Sequence, residues 1–128
     1  MNRGLIRRHH DLEVYQLALN AAMEIIEMSK RFPVRERYAL TEQIQRSSRS
    51  VCANLAAAWC ERQNATDFIA RLNDSEAEAA ETQAWINSAV LHGYLTPQAG
   101  KHLNALYDQI LGKLVSLVKN PASAQAFA

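Results

Sequence analysis

The chain of 128 residues has few residues that interrupt helices, with only 4 glycines and 3 prolines. The glycines stand singly, at Gly4, Gly93, Gly100 and Gly112, so no glycine-rich loop is available to cradle a phosphate group. Hydrophobic residues make up 48% of the chain, and alanine, leucine, glutamate, glutamine and arginine are abundant. This composition argues against wholesale disorder and favours helices throughout.

Long apolar runs are also absent, since no stretch approaches the ~20 residues that a membrane-spanning helix needs. The N-terminal stretch MNRGLIRRHHDLEVY is basic, but no continuous apolar segment follows its arginines, so we expect no signal peptide. Both observations lead us to expect a cytoplasmic protein that has no membrane partner.

The two cysteines, Cys52 and Cys60, lie eight residues apart on one predicted helix. A helical rise of about 12 Å separates them, which is too far for a disulfide within the chain. We expect both to be free thiols on small, buried or half-buried side chains, as suits a reducing cytosol.

Hydrophobic residues recur at helical spacing in four segments that are separated by short turns. The predicted helices are Leu12 to about Arg31, a second from between Val34 and Thr41 to near Gln63, a third from a cap at residues 64–66 to Gly93, and a fourth from Thr96-Pro97 to about Lys119. Short turns place neighbouring helices antiparallel. The sequence therefore predicts an all-α fold, an antiparallel up-down-up-down four-helix bundle at residues 11–119. A flexible basic arm at residues 1–10 and a flexible tail at residues 120–128 flank it.

The first helix is expected to begin at an Asp11 cap and to face the core through a coiled-coil-like seam. That seam consists of Leu12, Tyr15, Leu19, Ala22 and Ile26. The second helix is expected to face the core with Leu40, Ile44, Ser48, Val51, Leu55 and Trp59. Serines in this stripe, including Ser47, predict a close approach by a neighbouring helix.

The back of the second helix changes character halfway along, from charged to alanine-rich. A lone amphipathic surface helix would stay polar on its back. The alanine-rich half therefore predicts a surface that is covered by another subunit. The candidate interface residues are Ala53, Ala57, Cys60 and Trp59, of which Trp59 suits the core equally well.

No constellation of catalytic or metal-ligating residues emerges. A di-iron bundle needs Glu-x-x-His pairs, but alanine stands three residues before both His92 and His102. We therefore expect a non-enzymatic protein with no catalytic, cofactor-binding or metal-binding residues and no small-molecule substrate. The acidic middle of the third helix is expected to be a solvated face or an ion-pair partner of another subunit; it comprises Asp74, Glu76, Glu78 and Glu81.

Basic residues cluster locally, although the formal net charge is only +1. These clusters are either ordinary solvated charge or a phosphate-contacting surface, which a ring of identical subunits would repeat around its axis. The candidate nucleic-acid-binding residues are Arg7, Arg8, Arg35, Arg37, Arg46 and Arg49. The aromatic residues mostly fall on the apolar stripes, so no platform for base stacking is expected.

Several stretches resemble one family of bacterial four-helix-bundle proteins, those encoded in 23S rRNA intervening sequences. The matching stretches are DLEVY at residues 11–15, Phe32-Pro33 with Glu36 and Arg37, YALTEQIQRSSRSVCANLA at residues 38–56, Phe68-Ile69, Leu72-Asn73, Glu81-Thr82 and residues 92–95. The similarity covers about residues 9 to 118.

The resemblance implies a bundle that assembles into a homopentameric ring. Related bundles are accessory proteins of diversity-generating retroelements, in which a basic ring associates with RNA and a reverse transcriptase. The leading hypothesis is thus a self-associating binding or scaffold module for structured RNA or a ribonucleoprotein, with RNA or an RNA-binding protein as partner. The alternative is a purely structural or protein-binding oligomer without a nucleic-acid partner.

Overall fold

Four long helices account for most of the computed structural model, which describes residues 6–120. They are α1 (Glu13–Ser29), α2 (Glu42–Cys60), α3 (Ala65–Leu91) and α4 (Pro97–Lys119), and the described residues contain no strand. The all-α prediction is confirmed. Half of the predicted arm, residues 1–5, and residues 121–128 of the predicted tail lie outside the described residues.

The helices pack as neighbours in a closed square, because α1 contacts α2 and α4, and α3 contacts the same two helices. This arrangement confirms the four-helix bundle. The predicted core stripe of α2 is buried along its whole length, from Leu40 through Val51 to Trp59. Its helical period therefore sets the orientation of α2 in the bundle.

Side-chain caps fix two of the helix starts at their predicted places. The Asn64 side chain accepts a hydrogen bond from the Asp67 N–H at 3.1 Å, and Thr96 accepts one from the Ala99 N–H at 3.1 Å. Gly93 ends the turn after α3 with a φ of +77°, which favours glycine. The predicted Asp11 cap of α1 is wrong: its carboxylate accepts from the Arg7 and Arg8 N–H groups and closes the preceding 3-10 turn.

The predicted core seam of α1 is confirmed at Leu12 and Ala22, which are buried, and is wrong at Leu19. Leu19 is 41% exposed, whereas Ala18, Ala21 and Ile25 are buried. The helix is apolar over so much of its circumference that two stripes fit the periodicity. The bundle buries the alanine-rich stripe, because small side chains let α1 lie closer to its neighbours.

Helices α2 and α3 meet through small hydroxyl residues that are fully buried. Ser47 Oγ and Thr82 Oγ1 lie 2.8 Å apart, and the Ser75 hydroxyl donates to the Val51 carbonyl at 2.9 Å. These contacts confirm the close approach predicted from the serines of the second helix. Each of these three hydroxyls has a partner, so its burial carries no large desolvation penalty.

Candidate nucleic-acid interface

Arg46, on the outer side of α2, is held by two carboxylates of α3. Its guanidinium bonds Glu78 at 3.2 Å and also pairs with Glu81. The expectation that the acidic face of α3 is solvated or pairs with another subunit is therefore wrong for Glu78 and Glu81. Because its charge is neutralised within the chain, Arg46 presents little free positive charge to a phosphate.

Glu81 is the centre of this network, since it also accepts a hydrogen bond from the Trp85 indole N–H at 3.0 Å. The indole hydrogen bond and the Arg46 guanidinium together lower the pKa of Glu81. The carboxylate thus stays ionised near neutral pH. These ion pairs connect α2 to α3 at the protein surface, whereas the hydroxyl contacts connect the same two helices in the core.

Two other arginines are also engaged within the chain. Arg71 pairs with Glu61 at 3.2 Å, and the Arg62 guanidinium lies 3.8 Å from the centroid of the Trp59 ring. Trp59 itself is only 6% exposed. Of the four candidate interface residues, Trp59 therefore packs in the core of its own chain, under Arg62.

The remaining arginines of the described segment pair with no carboxylate there. Six arginines are exposed and form no ion pair with residues 6–120: Arg7, Arg8, Arg31, Arg35, Arg37 and Arg49. Arg35 donates to the Tyr94 hydroxyl at 3.5 Å, and the Arg37 guanidinium lies 5.5 Å from the Tyr38 ring centroid. These side chains keep their positive charge available.

The six candidate arginines do not form one surface. Arg7 and Arg8 precede α1, whereas Arg35 and Arg37 follow it. The 17 residues of α1 separate the two groups, a rise of about 25 Å. The second group lies at the end of the bundle where α2 begins, whereas Arg49 lies near the middle of the 19-residue α2, a rise of about 11 Å from its start.

We call this end the loop-end surface, formed by residues 30–38 between α1 and α2 and residues 91–96 at the end of α3. Tyr94 joins the two segments: its ring lies against Phe32 at 5.9 Å and its hydroxyl donates to Glu36 at 2.7 Å. The hydrogen bond to Glu36 raises the pKa of Tyr94. Val34 and Tyr38 are 87% and 68% exposed on this surface.

Most aromatic side chains of the described residues are buried or pack against the core, as expected, and Tyr38 is the exception at 68% exposed. It lies on a π-helical turn, Arg37–Thr41, that leads into α2. Leu40 and Ile44 are buried, and Tyr38 is offset from their stripe. A signal was present in the sequence, since Tyr38 lies outside the apolar spacing and directly follows Arg37.

A cleft of about 400 Å³ opens beside the loop-end surface, between the end of α1 and the start of α4. Arg31 and Tyr94 line one part of it, and Thr96 and Ala99 of the α4 N-terminus line another. A larger groove of about 690 Å³ runs between α1 and α4 farther along the bundle. Only the smaller cleft combines an unpaired arginine with an aromatic side chain.

The alanine-rich face of α2 lies on the outside of the single chain. Ala53 and Cys60 are exposed and Ala57 is half-buried. The expected burial of Cys60 is wrong, because it lies on the outer face in the last turn of α2. Cys52 is buried, and that burial raises the pKa of its thiol to about 11.

The first helix exposes two large apolar side chains as well, Leu19 and Met23, the latter at 62%. Sequence reasoning missed this surface because it assigned Leu19 to the core. Within residues 6–120 no cluster of three or more potential metal ligands occurs. No helix among these residues is long and apolar enough to cross a bilayer.

Comparisons with known proteins agree with this architecture. The family model of the 23S rRNA-intervening sequence protein matches residues 10–116. The fold is similar to the crystal structure of a protein of unknown function from the S23 ribosomal protein family of Bacteroides thetaiotaomicron VPI-5482. That similarity has a TM-score of 0.75 and 30% identity, and it covers 84% of this chain and 99% of that one. No curated protein matches the chain. The chain belongs to the 23S rRNA-intervening sequence protein family.

Proposed function

We propose that this protein is a non-enzymatic, self-associating bundle that acts in the bacterial cytoplasm as a binding or scaffold module for structured RNA or a ribonucleoprotein. The observation that carries the proposal is the set of exposed arginines without carboxylate partners at and near the loop-end surface. Arg35, Arg37 and Arg49 belong to this set.

The attraction of the protein for phosphate groups depends on which guanidiniums have no carboxylate partner. Arg46 and Arg71 already face carboxylates, so a phosphate would have to displace Glu78, Glu81 or Glu61. Arg35 and Arg37 face only an aromatic ring and a hydroxyl group. Arginines that contact phosphates release condensed counterions and supply affinity that falls with salt concentration.

Self-association increases the number of unpaired arginines on one assembly, because every subunit of a ring repeats the same surface. The outer face of α2 offers Ala53, Ala57 and Cys60, whose small side chains suit close contact with another helix. A homopentamer is the favoured assembly, on the strength of the family resemblance. The exposed Leu19 and Met23 of α1 offer a second apolar surface for the same purpose.

An electrophoretic shift on structured RNA at ~50 mM salt tests the RNA part of the proposal. We expect a shift at micromolar protein that weakens at ~200 mM salt and that Arg35→Ala/Arg37→Ala reduces. The matched control is Arg46→Ala/Arg71→Ala, which removes two charges already paired with carboxylates within the chain and should shift RNA like the wild type. No shift at micromolar protein would eliminate structured RNA as the partner.

Light scattering tests the assembly part. The wild-type mass should be a multiple of the 14.4 kDa chain, and Ala53→Glu should lower it while the helical circular dichroism stays unchanged. Met23→Glu places the same charge on the outer face of α1. If Met23→Glu alone lowers the mass, the interface lies on α1; a monomeric wild type would contradict self-association.

The exposed Leu19 and Met23 favour one alternative, a purely structural or protein-binding oligomer. This alternative predicts an oligomer that shifts no RNA at any salt concentration. Light scattering and the electrophoretic assay separate this alternative from the leading proposal. Both predict an oligomeric mass, but only the leading proposal predicts a shift of RNA.

A further inference from the structure

We infer that the loop-end surface binds unpaired nucleotides of single-stranded RNA, with the Tyr38 ring as the platform on which a base stacks and with Arg31, Arg35 and Arg37 as phosphate contacts. This inference deepens the proposed function and rests on it. It assigns both a location and a mode of contact to the RNA.

The exposed ring of Tyr38 is the first observation. An aromatic side chain that is 68% exposed has most of its surface in water, although burial of such rings is strongly favourable. The neighbouring Arg37 guanidinium lies 5.5 Å from the ring centroid, so an aromatic face and a cation stand together. Stacking platforms beside cations are the common device of proteins that bind single strands.

The backbone that presents Tyr38 is the second observation. In the turn at Arg37–Thr41 the Glu42 N–H donates to the Arg37 carbonyl, five residues back instead of four. Such π-helical turns are rare and occur frequently at functional sites. This turn leaves Leu40 in the core and directs Tyr38 away from it.

The balance of charge is the third observation. Two carboxylates lie close to the arginines: Glu27 pairs with Lys30 at 3.0 Å, whereas Glu36 accepts the neutral Tyr94 hydroxyl, keeps its negative charge and is outnumbered by the three arginines. Arg31 forms no ion pair within residues 6–120. The surface therefore has an excess of unpaired positive charge.

The adjoining cleft adds a place for one nucleotide. Its volume of about 400 Å³ lies within the range of small-ligand sites, roughly 300–1,000 Å³. Arg31 lines it, and the N-terminal turn of α4 contributes positive potential. Tyr94 is fixed there by its hydrogen bonds to Glu36 and Arg35.

These features favour a single strand over a duplex. Duplex RNA keeps its bases stacked and offers proteins mainly phosphates and 2′-hydroxyls. The exposed Tyr38 ring and the exposed Val34 side chain gain no apolar contact from a duplex, whereas an unpaired base covers both of them.

Fluorescence anisotropy with a labelled single-stranded RNA of 12 nucleotides, and with the same sequence as a duplex, tests the inference at ~50 mM salt. We expect the single strand to bind more tightly. Tyr38→Leu should weaken its binding about 10-fold, the loss typical of removing one stacking ring. Tyr38→Phe, which retains the aromatic face, should bind like the wild type.

Lys113→Ala/Lys119→Ala is the matched charge control, because it removes two positive charges from the end of the bundle at which α1 begins and should leave the affinity unchanged. Equal binding of the duplex, or full affinity in Tyr38→Leu, would overturn this inference while RNA binding itself stands. If the wild type binds neither the single strand nor the duplex, both the inference and the proposed function are overturned. Circular dichroism of Tyr38→Leu verifies that the exposed substitution leaves the helices folded.

Discussion

Gly100 lies where α4 packs tightly against α3, and replacing it by alanine tests the packing directly. A Cβ atom added there would lie 2.4 Å from Val90 Cγ2, with Val90 Cβ and Ile86 Cγ2 at 3.7 and 3.9 Å. Non-bonded carbons pack at about 3.5–4.0 Å. The Val90 methyl group must therefore move by about 1 Å to accept the new side chain.

Two opposing contributions set the expected change in the free energy of unfolding. Overpacking of this kind costs about 1–3 kcal/mol, whereas alanine is favoured over glycine in a helix by about 1 kcal/mol. We expect Gly100→Ala to destabilise the protein by about 1 kcal/mol. The melting temperature should fall by roughly 4 °C for a domain of this size.

Gly112 of the same helix supplies the matched control. A Cβ atom added at Gly112 meets nothing within 4 Å, so only the helix preference remains. Gly112→Ala should therefore stabilise the protein by about 1 kcal/mol. Two identical substitutions in one helix are thus expected to change stability in opposite directions.

Urea unfolding at one protein concentration, followed by circular dichroism, measures both variants. The double variant Val90→Ala/Gly100→Ala removes the clash, so it should be more stable than the sum of its single changes by at least about 1 kcal/mol. Two results together would refute the predicted clash with Val90. Gly100→Ala would stabilise the protein as much as Gly112→Ala, and the effect of Val90→Ala/Gly100→Ala on the free energy of unfolding would equal the sum of the two single effects.

Three further predictions concern the buried and paired side chains. Because the folded-state pKa of Glu81 is lowered from 4.5, its contribution is complete above about pH 4.5 and is lost as the pH falls through the folded-state pKa. Glu81→Gln should flatten the acid side of the stability profile and cost under about 1 kcal/mol at pH 7, since the pair is partly exposed. Thr82→Val keeps the shape but removes the buried hydroxyl contact with Ser47; unfolding by urea should show a loss of about 1 kcal/mol, and unchanged stability would contradict that contact. In the reaction with a colorimetric disulfide reagent at pH 7, Cys52 should react only after unfolding, whereas Cys60, which is exposed on the single chain, should react fast in the Ala53→Glu variant and more slowly in an oligomer that covers it; fast reaction of both thiols would contradict the burial of Cys52.

The fold could be predicted from the sequence because helical spacing, two caps and short turns agree with one another. The stripe of α2 is unambiguous, so its phase was predicted correctly. The first helix carries apolar residues on two overlapping stripes, and only packing against α2 and α4 chooses between them. That choice leaves Leu19 exposed and buries Ala18 and Ala21.

The candidate site was predictable only in part. A sequence shows where arginines cluster but not which are neutralised, because the partners of Arg46 lie 32 and 35 residues away on another helix. The acidic stretch of α3 and the basic residue of α2 looked independent, and the bundle brings them together. Tyr38 was missed because the aromatics were treated as one set on the apolar stripes, although Tyr38 lies two residues before Leu40 and outside that spacing.

Ultraviolet cross-linking of single-stranded RNA to the wild-type protein, mapped by mass spectrometry of the peptides, tests the central claim most directly. The loop-end surface should carry the cross-links, in peptides that contain residues 31–38 or Tyr94. Cross-links confined to the peptide with Arg7 and Arg8, or to the outer face of α2 around Ala53, would contradict the claim.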